Sequence, residues 1–258
     1  MPFYDLSKIE RNKILEGIHK ATLNAISKND AGIVRQFADD NDTYIRKSFY
    51  LTIGKLFREG SAPLANLLQI IHHYISDPSA KCRQVAINAA GEIGKTDFES
   101  IKLIMEKGLS DSHSSVRNAV IGSVKKMSEV NPIPVFRWAR VFLHHPDVEI
   151  RREICHGIEL RGRKQPEDIL PLLQELQHYQ EPRIRKTLIH VVGQISYKKG
   201  CLEIVLDHLL HWENQELVQE CIREIIIIHD RYKNFSHYST HEAKEIILRY
   251  KCSGLSGD

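Results

Sequence analysis

An arginine recurs at a nearly constant interval along this chain of 258 residues. Its five copies are separated by steps of 37, 34, 34 and 34 residues and are Arg46, Arg83, Arg117, Arg151 and Arg185. One more step of 34 residues reaches Gln219, where the arginine has been lost. A fixed period of about 20 to 50 residues is the signature of a protein built from stacked repeats. The period therefore favours a repeat architecture over the closed fold of an ordinary enzyme.

Each arginine marks the start of an amphipathic helix. Apolar residues follow it at spacings of 3, 7 and 10, which lie on one helical face, and the first set is Phe49, Ala86, Val120, Ile154, Leu188 and Ile222. Turns rich in Asp, Ser and Pro precede each copy, and another apolar helix precedes each turn. Glycines at Gly54, Gly91 and Gly193 indicate close approach of neighbouring helices. Each repeat is therefore predicted to be a helical hairpin.

The repeat has a recognisable form. The stretch Ser76 to Gly94 reads SDPSAKCRQVAINAAGEIG and resembles the short HEAT-like repeat of the phycobilisome-lyase type. The resemblance implies an all-α, right-handed α-solenoid, or armadillo-like superhelix, of about six hairpins with helical caps. We interpret residues 1–258 as a single domain, with an N-terminal cap and first helices at 1–38 and repeats at 39–230. A C-terminal cap follows at 231–250, and a disordered tail at 251–258.

The five repeated arginines, here called the ladder, allow two interpretations. They could bind phosphate, or they could join neighbouring repeats through carboxylates. Aspartates stand in four of the preceding turns, at Asp42, Asp77, Asp111 and Asp147. The second interpretation is favoured because bidentate pairs between arginine and aspartate would hold the stack together. We therefore assign Arg46, Arg83, Arg117, Arg151 and Arg185 a structural role.

Two columns beside the ladder form the predicted binding surface. They lie one and five positions after each arginine and flank the apolar face of the second helix, which lines the concave side in this architecture. The candidate binding residues are Lys47, Gln84, Asn88, Asn118, Arg152, His156, Lys186 and His190. This surface is polar and mildly basic, which suits an acidic protein segment or the phosphate backbone of a nucleic acid. The main hypothesis is a non-enzymatic binding scaffold.

Bulk properties narrow the remaining classes. The net charge is only +3, so overall charge does not indicate nucleic-acid binding. Five cysteines without a Cys-x-x-Cys pair favour a reducing compartment, and no apolar run is long enough to span a bilayer. A cytoplasmic protein without a membrane partner is therefore expected. No phosphate-binding glycine loop or catalytic triad pattern stands out, so we expect no catalytic residues and no cofactor.

The 14 histidines raise the question of a metal. No His-Glu-x-x-His motif and no Cys/His quartet is present, so we predict no metal site. His156 and His190 differ from the rest because they occupy equivalent positions in adjacent repeats. They could contact an anion, or bind a metal if another part of the chain supplied a further ligand.

An enzyme-related alternative comes from a second resemblance. The segment EIRREICHGIELRGR at Glu149–Arg163, followed by Pro182–Val205, is similar to repeats of HEAT-like DNA alkylation-repair glycosylases. That family implies a basic concave face on duplex DNA and a carboxylate that stabilises positive charge on the sugar. Glu159 is the only acid that the sequence offers for this role. A DNA-binding relative of these enzymes is therefore the alternative hypothesis, and a bilin lyase is a weaker one.

Overall fold

The structure is a computed structural model that describes residues 2–250, and the predicted tail at 251–258 lies outside that range. The described residues form helices and turns without a β-strand, which confirms the all-α prediction. The α-helices are α1 (Lys8–Lys28), α2 (Arg35–Ala38), α3 (Thr43–Arg58), α4 (Leu64–Tyr74), α5 (Ala80–Gly94), α6 (Lys102–Leu109), α7 (Ser114–Val130), α8 (Pro132–Leu143), α9 (Val148–Gly157), α10 (Glu159–Gly162), α11 (Leu170–Gln174), α12 (Pro182–Ser196), α13 (Leu202–Leu209), α14 (Gln215–Arg231) and α15 (Thr240–Tyr250).

The chain divides between Pro134 and Val135 into two compact units. In the N-terminal unit, the ladder helices α3, α5 and α7 pack side by side in chain order, with α4 against α5 and α6 against α7. In the C-terminal unit, α9, α12 and α14 pack in the same way, and α15 covers α13 and α14. Sequence-adjacent packing of hairpins is the arrangement that the period predicts. None of the helices in residues 2–250 is both long and apolar enough to cross a bilayer.

Polar residues in the turns set where the ladder helices begin. Asp42 accepts a hydrogen bond from the Tyr44 backbone N–H at 2.8 Å, and Asp147 accepts one from the Glu149 N–H at the same distance. Such N-caps satisfy backbone donors that have no partner inside the helix. A Ser7–Glu10 capping box begins α1 in the same manner. These caps place the start of α3 and α9, and with it the register of the residues that follow.

The apolar positions after each ladder residue form the core. Three positions on, all six residues from Phe49 to Ile222 are at most 3% exposed. Seven positions on, the sixth copy departs from the pattern, since Ile226 is half-buried and its neighbour Ile225 is fully buried instead. The 3-and-7 spacing therefore identifies the buried face, and the last hairpin is rotated by about one residue relative to it.

The ladder arginines of the N-terminal unit hold the turns that precede them. Nη1 of Arg46 donates to the Asp40 and Asn41 carbonyls at 2.6 and 3.1 Å, and Arg83 and Arg117 make the equivalent pair of bonds. Arg83 also makes a bidentate pair with the Asp111 carboxylate in the next hairpin, at 2.6 and 3.0 Å. These contacts fasten each turn to its own helix, and in one case to the next hairpin.

The aspartate partners do not follow the predicted scheme throughout. Asp111 binds Arg83 of the preceding hairpin, but Asp77 binds Arg35, which lies outside the ladder. Asp42 and Asp147 cap their own helices, and Asp42 also accepts from the Phe3 N–H at 2.6 Å. In α9 and α12 the ladder arginines bind glutamates instead. The expectation of one repeating Arg–Asp pair is therefore wrong, because a short Asp in a turn can satisfy the backbone beside it.

Candidate functional site

The C-terminal unit contains an open groove of about 800 Å³ across three successive ladder helices. Helix α9 supplies one edge, α12 the middle and α14 the other edge. Its main polar and apolar residues are Arg152, His156, Arg185, Lys186, Ile189, His190, Glu220, Arg223, Glu224, Ile227 and Arg231. We call this the C-terminal groove. It is formed largely by residues one and five positions after the ladder, which explains why the side chains meet on one surface.

Four of the eight predicted binding residues line this groove, namely Arg152, His156, Lys186 and His190. Lys47 lies in the other unit, in a second groove. The three remaining residues line neither one. Gln84 donates to the Ser115 carbonyl at 3.4 Å, Asn88 donates to the Gln84 carbonyl at 2.9 Å, and Asn118 is exposed. The predicted columns therefore separate into a gathered C-terminal set and a dispersed N-terminal set.

Two groove arginines are already engaged by carboxylates. Nε of Arg152 lies 2.9 Å from Glu149, so the side chain is half-buried rather than freely exposed as the helical pattern predicts. Nε of Arg185 lies 2.7 Å from Glu220 of α14. Arg185 therefore belongs both to the ladder and to the groove wall. Neither guanidinium is a free positive charge for a ligand.

Three further cations of the groove carry no such partner. Lys186, Arg223 and Arg231 are exposed, and no carboxylate within residues 2–250 lies at ion-pair distance from any of them. Glu224, the other acid of the groove, lies 3.8 Å from Nδ1 of His190. The groove thus has three positive charges that are not engaged in an ion pair in the part of the chain that the structure describes. Two isoleucines provide apolar surface beside these cations. Ile189 is half-buried, and Ile227 is 48% exposed.

Two histidines and a buried acid meet at the base of the groove. The rings of His156 and His190 approach to 6.0 Å between centroids. Nδ1 of His156 lies 3.0 Å from Oε2 of Glu159, whose other oxygen accepts from Arg163. Burial, together with the neighbouring His156, lowers the pKa of His190 below the ordinary value of histidine, although Glu159 and Glu224 oppose the shift. A neutral imidazole at this position is able to donate to, or accept from, a polar ligand.

Glu159 occupies a special position in its hairpin. It lies eight residues after Arg151, where three other hairpins have Gly54, Gly91 and Gly193. A Cβ on Gly193 would stand 2.7 Å from Glu224 of the next ladder helix, so this position faces the neighbouring helix at close range. In the fourth hairpin the helix is interrupted between Gly157 and Glu159, and the carboxylate is accommodated at 1% exposure. A glutamate in a glycine position is the sequence signal that could have revealed this contact.

The N-terminal unit has a groove of different character. It has a volume of about 730 Å³ and lies between α1, α3 and the short 3-10 turn Phe3–Asp5. Exposed Tyr4 and Tyr44 stack edge to face at 4.2 Å, and Leu15 and Leu51 extend the apolar surface. Lys47 lines this groove together with Lys20, Lys55 and Arg58. We call this the N-terminal groove, and its surface is more aromatic and less densely charged than that of its C-terminal counterpart.

Arg223 and Arg231 line the groove but lie outside the two columns of predicted binding residues. The sixth hairpin lacks the ladder arginine and has glutamates in both columns. Its sequence therefore indicates an acidic rather than a basic end of the surface. Arg223 stands four positions after Gln219, where the preceding hairpins have apolar Ile87, Ile121 and Ile189. An arginine in an otherwise apolar column is an indication that α14 presents a different face.

Comparison with known proteins assigns no family to the chain. No protein-family model matches it, and no curated protein matches it. Three solved structures of engineered proteins from the Northeast Structural Genomics Consortium are similar at 14%, 16% and 15% identity, with TM-scores of 0.36, 0.34 and 0.35. They cover 82%, 80% and 76% of this chain and 96%, 61% and 98% of their own length. The chemistry of the groove must therefore be argued from its residues.

Proposed function

We propose that this protein is a non-enzymatic binding protein that holds an acidic segment of a partner protein in the C-terminal groove. The proposal rests on Lys186, Arg223 and Arg231, whose positive charges have no carboxylate partner within residues 2–250. Bringing an acidic chain to these cations gains Coulomb energy without breaking an existing ion pair. The HEAT-like character of the repeat supports the same proposal, because stacked hairpins offer extended binding surfaces.

The composition of the groove favours a protein segment over duplex DNA. Ile189 and Ile227 give apolar surface between the cations, which suits a peptide that alternates acidic and apolar side chains. Glu220 and Glu224 interrupt the positive charge on the α14 side, which disfavours a phosphate backbone because it carries a charge at every step. A peptide can instead place its sparser acidic side chains at the cations alone. Duplex DNA remains the alternative partner because guanidinium groups bind phosphate well. Glu159, the acid expected for a base-excising enzyme, is buried and held by Arg163, which supports binding rather than catalysis.

The test is fluorescence anisotropy with a labelled peptide of alternating glutamate and leucine residues. Reversing the three free charges in K186E/R223E/R231E is expected to weaken peptide binding at least about tenfold, because each exposed charge contributes roughly 0.5–1 kcal/mol. A labelled DNA duplex, titrated over a range of salt, runs in parallel. Tighter duplex binding with the steep salt dependence of counterion release would instead support the alternative.

A matched control separates the groove from general electrostatics. Lys199, Lys233 and Lys244 are exposed lysines of the same unit that lie outside the groove and make no ion pair within residues 2–250. The variant K199E/K233E/K244E changes the net charge by the same amount. It is expected to bind the peptide within about twofold of the original protein. Equal losses in the two variants would contradict a site in the groove.

A further inference from the structure

The strongest unexplained feature is the cluster of His156, Glu159 and His190 at the base of the C-terminal groove. The three residues come from α9, α10 and α12, and each offers one donor atom. These three atoms all lie within 4.8 Å of one another. No other trio of His, Cys, Asp or Glu side chains within residues 2–250 meets at this range. The cluster therefore combines donors from two adjacent hairpins at one point.

We propose that His156, Glu159 and His190 bind a divalent transition-metal ion, with Zn²⁺ as the reference ion. Two imidazoles and one carboxylate form a donor set that zinc and other first-row transition metals accept. In a zinc site the bonds are about 2.0–2.2 Å long, so donor atoms stand roughly 3.4 Å apart. His156 Nδ1 and Glu159 Oε2, at 3.0 Å, are already near that separation. The donor atom of His190 lies within 4.8 Å of the other two, so the set has to contract by about 1 Å to bind an ion.

Surrounding residues orient the three ligands. Arg163 donates to Oε1 of Glu159 and, at 2.7 Å, to Oε1 of Gln194, while Oε2 of Glu159 faces His156. Oε1 of Glu224 lies 3.8 Å from Nδ1 of His190, close enough for a small adjustment to bring a carboxylate behind this ring. A carboxylate behind a ligating histidine is a recurrent device that fixes the ring and its tautomer. The cluster thus has supporting contacts of the type that metal sites use.

The charges near the cluster are compatible with a dication. Glu159 and Glu224 carry two negative charges beside the proposed position, which oppose the repulsion from Arg163 and Arg231. Glu159 is only 1% exposed, so a metal would bind a carboxylate that water barely reaches. His156 and His190 line the groove, so coordination positions that the protein leaves open would face it. The site is independent of the proposed acidic partner and is tested without it.

Isothermal titration calorimetry of the purified full-length protein with Zn²⁺ alone tests this site. We expect one ion to bind per chain, and affinity to fall at least about 100-fold in H156A/H190A, because removing a ligand costs more than removing its supporting contact. E224Q, which changes only such a supporting contact, is expected to weaken binding about tenfold. Mg²⁺ is expected not to compete, because it prefers oxygen ligands. Saturating Zn²⁺ should raise the melting temperature of the original protein but not that of H156A/H190A.

The control is H72A/H73A, which removes two exposed histidines of α4 and should bind Zn²⁺ as the original protein does. Circular dichroism verifies folding of each variant. If the double variant fails to fold, E159Q replaces it, since glutamine keeps the size of the side chain and weakens the ligand. Zinc binding that survives the loss of these ligands, or the absence of stoichiometric binding by the original protein, would overturn the proposal.

Discussion

The ladder arginines of the two units occupy the same repeat position but hold different partners. In the N-terminal unit, Arg46, Arg83 and Arg117 each donate Nη1 to two backbone carbonyls of the preceding turn. In the C-terminal unit, Arg151 donates to Glu181 at 2.5 Å, and Arg185 to Glu220 at 2.7 Å, both in the following hairpin. The first arrangement holds each turn to its own helix, and Arg83 also reaches Asp111 of the next hairpin. The second arrangement joins one hairpin to the next through glutamates.

The difference arises from the residues around the arginine rather than from its position. In the C-terminal unit, the Arg151 guanidinium lies 4.6 Å from the centre of the Tyr179 ring, a cation–π contact with the next hairpin. Its Nε is buried without a hydrogen-bond partner. The repeat therefore determines where the guanidinium lies. The side chains around it determine which groups it contacts. In the C-terminal unit this selection makes Arg185 part of a groove wall, so the structural and functional residues overlap.

The largest expected effect is on stability, in Arg83→Met. This substitution removes two bonds to carbonyls and leaves Asp111, whose side chain is only 10% exposed, without its bidentate partner. Breaking such a pair is expected to cost about 2–4 kcal/mol of unfolding free energy. The matched substitution in the other unit, Arg151→Met, is expected to cost about 1 kcal/mol, because its carboxylate partner Glu181 is 38% exposed and becomes hydrated.

Urea denaturation followed by circular dichroism measures both variants. A loss in Arg151→Met that equals or exceeds the loss in Arg83→Met would break the comparison between the two units. It would mean that the Arg151–Glu181 pair stabilises its unit as strongly as the turn contacts and the Asp111 pair of Arg83 do together.

A smaller effect is expected on the loss of folding stability at acidic pH. Burial opposes ionisation of Asp111, but hydrogen bonds from Arg83 and from the His113 N–H outweigh it and hold the pKa of this carboxyl below its ordinary value of 3.8. Its stabilising contribution is therefore present above that ordinary value and is lost as the pH falls through the lower folded-state pKa. Asp111→Asn should lower stability at neutral pH and flatten the acid decline. Melting temperatures from neutral to strongly acidic pH measure this, and an unchanged acid slope would contradict it.

The sequence predicts the frame of this protein better than its surface. The period, the apolar spacing from Phe49 to Ile222 and the turn residues predict the hairpins and their buried face, because helix periodicity and capping are local properties. The close approach at Gly193 was also predictable, since only a residue without a side chain fits there. These features depend on a few neighbours along one helix.

The site required the structure because it depends on contacts between hairpins. The prediction of eight binding residues in two columns requires every hairpin to present its columns alike. However, Asn88 donates to the backbone of its own helix, and Gln84 donates to the Ser115 carbonyl of the next hairpin. Glu159 meets His156 within one hairpin but meets His190 of the next, and that second contact follows from packing rather than from the helical pattern. The register of α14, which presents Arg223 and Arg231, likewise follows from packing rather than from the repeat.

The central claim is that the C-terminal groove, and not the N-terminal groove, holds the acidic partner. Hydrogen–deuterium exchange mass spectrometry of the full chain, with and without the glutamate–leucine peptide, tests it most directly. We expect slower exchange in 182–196 and 215–231, the helices that carry Lys186 and Arg223, and no change in 43–58 beside Lys47. Slower exchange confined to 43–58, with the two C-terminal helices unchanged, would contradict the claim.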